Sequence, residues 1–327
     1  MKVNSRFFFL LAAGCWLLVT ATGCGPTYPE ERFKESIIKV CKKEYKLDVK
    51  VETIGHTIAI YVPLENLIDF TFAITKSASE KINDVILSVS RVALSTDAKF
   101  DFYCIIAHDI RIPEIQIVII KTVDDVKRFL LNDISRGEYS KRMLIDIRVS
   151  PQSEKERAIK EVLSRKGVDK ESQEKFLGDF FRSEPAVLGD IGYWNGRFYI
   201  KDISLAEFLA EQIANRIRIE FREDKRLMNI FSLSACKGFF KGKERLFKFE
   251  ISEEHKNIEG LDEEALSGRF FKAVLKVSAG VIHGYRFEAF DSLEVLNQWD
   301  GKVFRASRQE LEDFRINKIS LEEITKS

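Results

Sequence analysis

The sequence predicts an α+β protein built from two similar units, each a two-layer sandwich with helices over one face of a β-sheet. Segments with apolar residues at three- and four-residue steps indicate amphipathic helices. Between them, apolar and charged residues alternate, as they do in half-buried strands. The order helix, hairpin, helix, hairpin, helix occurs twice, in residues 29–150 and in residues 204–327.

The first unit, residues 29–150, is predicted to form a four-stranded antiparallel sheet. Its second helix has a capping-box pair in Ser77 and Glu80, and its third helix begins at Thr122. In chain order, the predicted elements are a helix over 33–45, strands over 47–51 and 57–62, a helix over 77–93, strands over 100–106 and 115–120, and a helix over 122–134.

The second unit, residues 204–327, is predicted to form the same kind of sheet. A capping-box pair at Ser204 and Glu207 starts its first helix, and Asp262 can cap the second. In chain order, the predicted elements are a helix over 204–221, strands over 231–233 and 246–251, a helix over 262–277, strands over 285–290 and 303–304, and a helix from 307, where Ser307 and Glu310 form another capping box.

A charged connector, residues 151–203, joins the two units. Residues 153–182 are predicted to form two helices separated at Gly167, with Ser153 and Glu156 as the cap of the first. The Asn-Gly pair at 195–196 is a strong turn signal and predicts a β-hairpin. Because the connector is not of low complexity, we expect both units to pack on it.

The N-terminus has the features of a secretory signal peptide. Lys2 and Arg6 precede an apolar run over residues 7–19, and small residues follow it. Residues 21–24, Ala-Thr-Gly-Cys, resemble the lipobox of bacterial lipoproteins. In that family the cysteine is lipidated and becomes the new N-terminus, so the resemblance implies that residues 1–23 are a signal peptide that is removed.

Lipidation of Cys24 leaves residues 24–28 as a tether to the body of the protein. An ordinary secretory signal and a lipobox ending at Cys15 are alternatives, although the second leaves a very short apolar core. A membrane span is a further alternative, but the apolar run is shorter than the roughly 20 residues that cross a bilayer. In a bacterium with two membranes, aspartate after the cysteine would imply the inner membrane; Gly25 stands there instead, so for such a bacterium the resemblance implies the outer membrane, facing the periplasm or the outside.

The charge of the chain is balanced. The sequence has 52 basic and 51 acidic residues, and loss of Lys2 and Arg6 with the signal peptide leaves 50 basic residues. A protein that binds nucleic acid through its phosphates needs a basic surplus, so we expect no nucleic-acid partner. The same balance gives no general attraction to anionic lipid, and membrane attachment would depend on the acyl chains.

The three cysteines that follow Cys24 leave two interpretations open. Cys41, Cys104 and Cys236 are an odd number, which makes a poor disulfide framework. They are either buried free thiols, or Cys41 and Cys104 form a disulfide, because both fall on the apolar faces of their elements. The chain has no Cys-x-x-Cys pair and its histidines stand far apart, so we expect neither a metal site nor a cofactor.

The pair with the most catalytic character is His108-Asp109, at the end of a predicted strand. Adjacent strand residues point to opposite faces, so these two side chains would not orient each other as a catalytic triad requires. A turn or surface role is therefore favoured for both.

Residues 237–243, at a predicted hairpin tip, are the main candidate contact site. Phe239 and Phe240 cannot both face one side of a strand, so at least one is expected to be exposed. Lys241 beside them favours contact with lipid phosphates or an acidic partner. Trp194, next to another turn, is a second candidate for a partner surface. The alternative is that Phe239 and Phe240 cap the core and the lysines are solvated, and that Trp194 packs at the edge of the core.

We therefore expect a lipid-anchored cell-envelope protein that binds or scaffolds a partner and is not an enzyme. Two alternatives stay open: an envelope hydrolase with its site between the two units, and a subunit of an export or surface assembly. A deep pocket that contains His108 and Asp109 would favour the hydrolase. A shallow surface bearing Phe239, Phe240 or Trp194 would favour the binding protein.

Overall fold

A computed structural model describes residues 27–183, 188–255 and 262–324. The predicted signal peptide, with Cys15 and Cys24, lies outside these residues. The architecture is α+β with two main sheets, as the sequence predicts. In the three described ranges, we find no helix that combines the length and the apolar composition needed to cross a bilayer.

The first unit contains four helices and five strands. In chain order these are α1 (Phe33–Tyr45), β1 (Lys50–Ile54), β2 (Thr57–Leu64), α2 (Lys76–Leu94), β3 (Phe102–Asp109), β4 (Ile115–Thr122), α3 (Val123–Leu130), α4 (Arg136–Lys141) and β5 (Leu144–Val149). The strands lie in the order β1-β2-β3-β4-β5. The neighbouring strands β2 and β3 are parallel, and all other neighbouring strands of this sheet are antiparallel.

The prediction of a four-stranded antiparallel sheet was therefore wrong in two respects. Between the two hairpins, α2 returns the chain along the sheet, so β3 starts at the same end as β2 and pairs with it in parallel. Alternation of apolar and polar residues predicts strands but not which strands are neighbours. The fifth strand, β5, was not predicted.

The second unit repeats the order helix, hairpin, helix, hairpin, helix, and its described residues contain no strand that corresponds to β5. The connector before this unit contains α5 (Pro151–Arg165), α6 (Lys170–Ser183), β6 (Gly192–Trp194) and β7 (Arg197–Tyr199). The elements of the second unit are, in chain order, α7 (Leu205–Glu223), the short α8 (Lys225–Met228), β8 (Phe231–Lys241), β9 (Leu246–His255), α9 (Glu263–Gly284), β10 (Ser292–Asn297), β11 (Val303–Ser307), α10 (Arg308–Arg315) and α11 (Leu321–Ile324). The strands lie in the order β11-β10-β9-β8, again with a parallel central pair, β9 and β10.

One predicted strand of the second unit was wrong. Residues 285–290 alternate like a strand, but the strand begins only at Ser292. Phe287 and Phe290 instead pack around Phe247, with ring centroids 5.8 and 5.4 Å from it. Aromatic packing in the core has overridden the local pattern.

Most of the predicted helix caps are confirmed. Ser204 and Ser307 each form a complete capping box, and Asp262 and Thr122 cap their helices with side-chain oxygens. The caps of the other two helices are displaced: Thr75, rather than Ser77, caps α2, and Ser150, rather than Ser153, caps α5. In both cases the true cap is the hydroxyl residue nearest the preceding loop.

The two units stack as helices, sheet, helices, sheet. The faces of α1 and α2 pack on one side of the first sheet. The other side packs on α7, where the rings of Phe102 and Phe208 are 5.3 Å apart. The opposite face of α7 lies so close to β8 that a side chain at Gly238 would collide with the carbonyl oxygen of Ala210. α7 therefore belongs to the cores of both units.

Candidate interaction site

A set of exposed apolar side chains lies where β2 and β3 end. Two loops meet there, residues 65–75 and residues 110–114. Their exposed apolar residues, which we call the tip surface, are Phe70 (94 % exposed), Phe72 (70 %), Ile110 (52 %) and Ile112 (46 %). Exposed aromatic residues at the end of a loop are typical of binding surfaces.

The loop that carries the two phenylalanines is braced by internal hydrogen bonds. Ile68 and Ile74 form an antiparallel bridge, and the carboxylate of Asp69 accepts hydrogen bonds from the backbone N–H groups of Thr71 (2.8 Å) and Ala73 (3.1 Å). The Thr71 hydroxyl also donates to this carboxylate, at 2.6 Å. Hydrogen bonds within the loop therefore stabilise its conformation, and these bonds do not involve the phenylalanine rings.

Phe72 has a backbone conformation that phenylalanine rarely adopts. Its φ is +60°, in the left-handed region. For an L-residue with a Cβ atom this region costs about 1–2 kcal/mol. Such strain tends to occur at functional sites, where the surrounding structure holds it in place. Phe72 therefore has a strained backbone although its side chain, 70 % exposed, is not part of the hydrophobic core.

The predicted pair His108-Asp109 does not form a catalytic arrangement. Asp109 is buried and its carboxylate accepts hydrogen bonds from the N–H groups of Leu67 (2.7 Å) and Arg111 (2.8 Å). These bonds tie together the two loops of the tip surface. The role of Asp109 is therefore structural, and it holds the site that the sequence analysis did not find.

His108 points to the other face of the sheet, as adjacent strand positions require. Its Nδ1 atom is 2.5 Å from the hydroxyl of Tyr61, and the ring of Tyr61 stacks on that of Tyr193 at 3.8 Å. Lys50 donates a hydrogen bond to the Tyr193 hydroxyl at 2.5 Å. Burial lowers the pKa of His108, so its ring is neutral near pH 7 and serves as a packing and hydrogen-bonding partner.

The residues predicted at the β8–β9 hairpin divide as strand geometry requires. Phe239 is 45 % exposed and Lys241 is exposed on the same face. Phe240 turns inward and packs on Phe247 at 4.9 Å. The outer face of the second sheet thus presents Phe239 and Lys241 to solvent, and contact with a partner there stays a prediction.

Trp194 lies apart from that hairpin, in the connector. Its indole N–H donates a hydrogen bond to Glu156 at 2.6 Å, which fastens the β6–β7 hairpin to α5. Trp194 is therefore half-buried and engaged in packing, and the structure does not combine it with Phe239 in one surface.

The alternative of a Cys41–Cys104 disulfide is wrong for this structure. Cys41, Cys104 and Cys236 are all buried free thiols. Cys41 belongs to the core under α1 and α2, whereas Cys104 faces the core shared with α7. The two cysteines lie on opposite faces of the first sheet, so their apolar surroundings are different. Burial raises the pKa of Cys104 to about 12, as expected of an unreactive thiol.

A cavity of about 200 Å³ lies between the two units, beside β5 and α7. Its polar lining includes Arg148 and Glu211; burial raises the pKa of Glu211. The guanidinium of Arg148 already donates to the carbonyls of Gly189 and Ile191. This cavity is smaller than the 300–1,000 Å³ usual for small-molecule sites. A second cavity between the units, lined by Asp101, Asp124 and Tyr285 among others, has a volume of about 580 Å³. Neither His108 nor Asp109 lines either cavity.

Within the described residues, no three His, Cys, Asp or Glu side chains are grouped so as to hold a metal ion. No protein-family model matches the chain, and comparison with curated proteins and with solved structures gives no significant match. The interaction site therefore has to be argued from its own geometry.

The sequence did contain a signal for the tip surface. In Asp69-Phe70-Thr71-Phe72, two aromatic residues alternate with polar ones in a connection too short for a helix. Apolar residues in a loop pack inward as often as they project, so this pattern alone does not predict that the two rings are exposed. The hydrogen bonds that Asp69 and Asp109 accept hold the loop in the conformation that exposes the rings, and they form only in the folded protein.

Proposed function

We propose that this protein is a lipid-anchored cell-envelope protein that binds another protein through its tip surface. The observation that carries the proposal is a braced loop with two almost fully exposed phenylalanines, Phe70 and Phe72. The lipobox-like segment that ends at Cys24 supports the anchor.

The position of the N-terminus supports a tip surface that points away from the membrane. Tyr28 pairs with Thr96, which follows the C-terminal end of α2. The loop 65–75 precedes the N-terminal end of α2, at the far end of the eight-residue strand β2. At about 3.3 Å per residue, the two ends are roughly 25 Å apart. A tether as short as residues 24–28 would hold the Tyr28 end at the membrane.

The chemistry around the tip surface favours a protein partner over a lipid surface. The exposed residues beside the two phenylalanines include the acidic Glu65 and Asp69, whereas the basic Arg111 lies between the two isoleucines. Acidic groups are repelled by anionic lipid headgroups. We therefore infer a partner with an apolar pocket for the two rings and basic side chains at its rim.

The anchor is tested by the intact mass of the protein from the membrane fraction. The expected mass corresponds to loss of residues 1–23 and addition of acyl chains to Cys24. A Cys24→Ala variant should lack the acyl chains and leave the membrane fraction. An unmodified wild-type mass would contradict the anchor and leave only the partner-binding part of the proposal.

The tip surface is tested by partner capture with a Phe70→Ser/Phe72→Gly double variant. Burying a phenylalanine contributes about 1.5–3 kcal/mol, so loss of both rings should weaken binding about 100-fold or more. Glycine at position 72 relieves the positive φ, so the double variant should stay folded. The measurement is the amount of each envelope protein recovered with the purified protein after mild cross-linking.

The matched control is a Leu130→Ser/Leu131→Ser variant. Leu130 and Leu131 are also neighbouring exposed apolar residues, 62 % and 79 % exposed, but they lie at the C-terminal end of α3, away from the tip surface. Capture should be unchanged in the control. Equal capture by the tip variant would contradict the proposal. Recovery of several envelope proteins in fixed ratio would identify the partner as a larger assembly.

A further inference from the structure

We propose that the same partner adds a β-strand to the first sheet along the free edge of β5. This inference rests on the proposed function and names the second part of the surface that the partner would cover. It starts from the four sheet edges of the two units, β1 and β5 in the first sheet and β8 and β11 in the second.

Three of these edges carry features that protect them from pairing. In β1, the carboxylate of Glu52 accepts a hydrogen bond from the N–H of Thr53, at 3.0 Å. In β8, a bulge interrupts the register after Leu233, and Arg218 donates to the carbonyl of Cys236 at 3.1 Å. β11 is only five residues long and presents Arg305. Short length, bulges and charges are the usual means by which edge strands avoid unwanted pairing.

The edge of β5 is not interrupted by a bulge, and its two charged residues, Asp146 and Arg148, lie on the face opposite its apolar row. Ile145, Ile147 and Val149 lie on one face of the strand and are 48 %, 41 % and 47 % exposed. Over the described part of the chain, the backbone of residues 144–149 makes no hydrogen bond outside its ladder with β4. β5 is thus an open edge with an exposed row of β-branched side chains, which is the surface used in strand addition.

The open edge is continuous with the tip surface. Val149, the last residue of β5, is paired with Ile115, which directly follows the 110–114 loop. Beyond it, the N–H of Ser150 donates to the carbonyl of Glu114 in that loop, at 2.6 Å. One partner molecule can therefore hold the tip surface and lie along β5 without a gap between the two contacts.

The side chains of β5 define the strand that fits. Its apolar row requires apolar β-branched residues at alternate positions of the partner strand. On the other face, the carboxylate of Asp146 is 59 % exposed, while Arg148 beside it is 13 % exposed and turned toward the connector. The partner strand should therefore place a basic residue opposite Asp146.

A second copy of this chain fits the edge less well. Antiparallel pairing of β5 with itself would place the Tyr28 ends of the two copies at opposite ends of the joined sheet, because β5 runs from that end toward the tip surface. Two short N-terminal tethers would then have to reach one membrane from opposite ends of the joined sheet. A different protein places no such demand on the tethers.

Site-specific photo-cross-linking in cells tests the inference. A photoreactive phenylalanine is introduced in place of Ile147, of Phe70 or of Val303, an apolar residue on another edge strand, β11, that is more exposed than Ile147 (60 % against 41 %). The expected result is that positions 147 and 70 capture the same protein, identified by mass spectrometry, and that position 303 captures none. Capture at position 70 alone would overturn the strand addition and leave the proposed function intact.

The other outcomes are equally decisive. Capture at position 147 of a second copy only would overturn the choice of partner, and capture at neither position 147 nor position 70 would overturn both proposals. With the captured protein in hand, Ile147→Lys should weaken binding at least tenfold, whereas Ile147→Val should not. Hydrogen exchange of residues 144–149 should slow at least tenfold in the complex. If the partner binds and hydrogen exchange of residues 144–149 does not slow, the contact is made by side chains alone, and strand addition is contradicted.

Discussion

Replacement of Arg142 by methionine is expected to lower the free energy of unfolding by about 3–5 kcal/mol. Arg142 and Asp125 form an ion pair at 2.9 Å in which both side chains are buried, 4 % and 1 % exposed. Removal of the guanidinium leaves the carboxylate of Asp125 buried without its counter-charge. That loss of compensation, rather than the attraction itself, is what makes the change costly.

Arg142 also joins the two units. It donates to Glu138 at 2.8 Å within the first unit and to the carbonyl of Gly284 at 3.0 Å in the second. The hydroxyl of Tyr285 completes the network by donating to Asp125 at 3.0 Å. Loss of Arg142 therefore removes hydrogen bonds inside the first unit and across the junction at once.

Urea unfolding followed by circular dichroism measures the effect. The control is Arg91→Met, which breaks a pair of similar length, 2.6 Å to Glu44, between side chains that are nearly half exposed. Exposed pairs contribute at most about 1 kcal/mol. A double variant, Asp125→Asn/Arg142→Met, should recover part of the loss because no charge is left buried. A loss below 1 kcal/mol for Arg142→Met would contradict the interpretation.

Replacement of Lys121 by methionine is expected to change how stability depends on pH. Lys121 is fully buried, donates to the carbonyl of Tyr139 at 3.1 Å, and lies over the Tyr139 ring. Burial lowers its pKa from 10.5 to about 7. Between these two values the unfolded chain binds a proton that the folded chain does not, so this group makes stability rise with pH across that window.

Below about pH 7 both states are protonated, and the destabilisation by Lys121 is complete and constant. Relative to Lys121→Met, the wild-type free energy of unfolding should therefore be flat from pH 5 to 7. It should then rise by up to about 5 kcal/mol as pH approaches 10.5, since one pKa unit corresponds to about 1.4 kcal/mol. Urea unfolding of both proteins at several pH values gives this difference. A difference that does not change with pH would show that the folded protein keeps Lys121 charged.

The sequence was sufficient where structure is local. Capping at Ser204 and Ser307 and the turn at 195–196 depend on residues a few positions apart, and each is confirmed. The parallel pairing of β2 with β3 is different, because it depends on where α2 returns the chain. Cys41 and Cys104 illustrate the same limit: both positions are apolar, but only the layering of the units shows that they face different cores.

The candidate site was harder to predict than the fold. Exposure of Phe70 follows from the hydrogen bonds of Asp69 and Asp109, and the second of these reaches across 42 positions of the chain. The open edge of β5 depends on the fact that no other described strand pairs with it on the side away from β4. Neither property is encoded in a short stretch of sequence.

The sharing of α7 between both units has a consequence for the order in which the protein can be made. The chain leaves the ribosome from its N-terminus, so the first sheet is complete some 55 residues before the start of α7 follows. Until then, the face that contains Phe102 and Ile106 lacks the cover that α7 provides. A chain of this design therefore exposes that apolar face until its second half has been synthesised. Its maturation is thus governed by the arrival of a single helix.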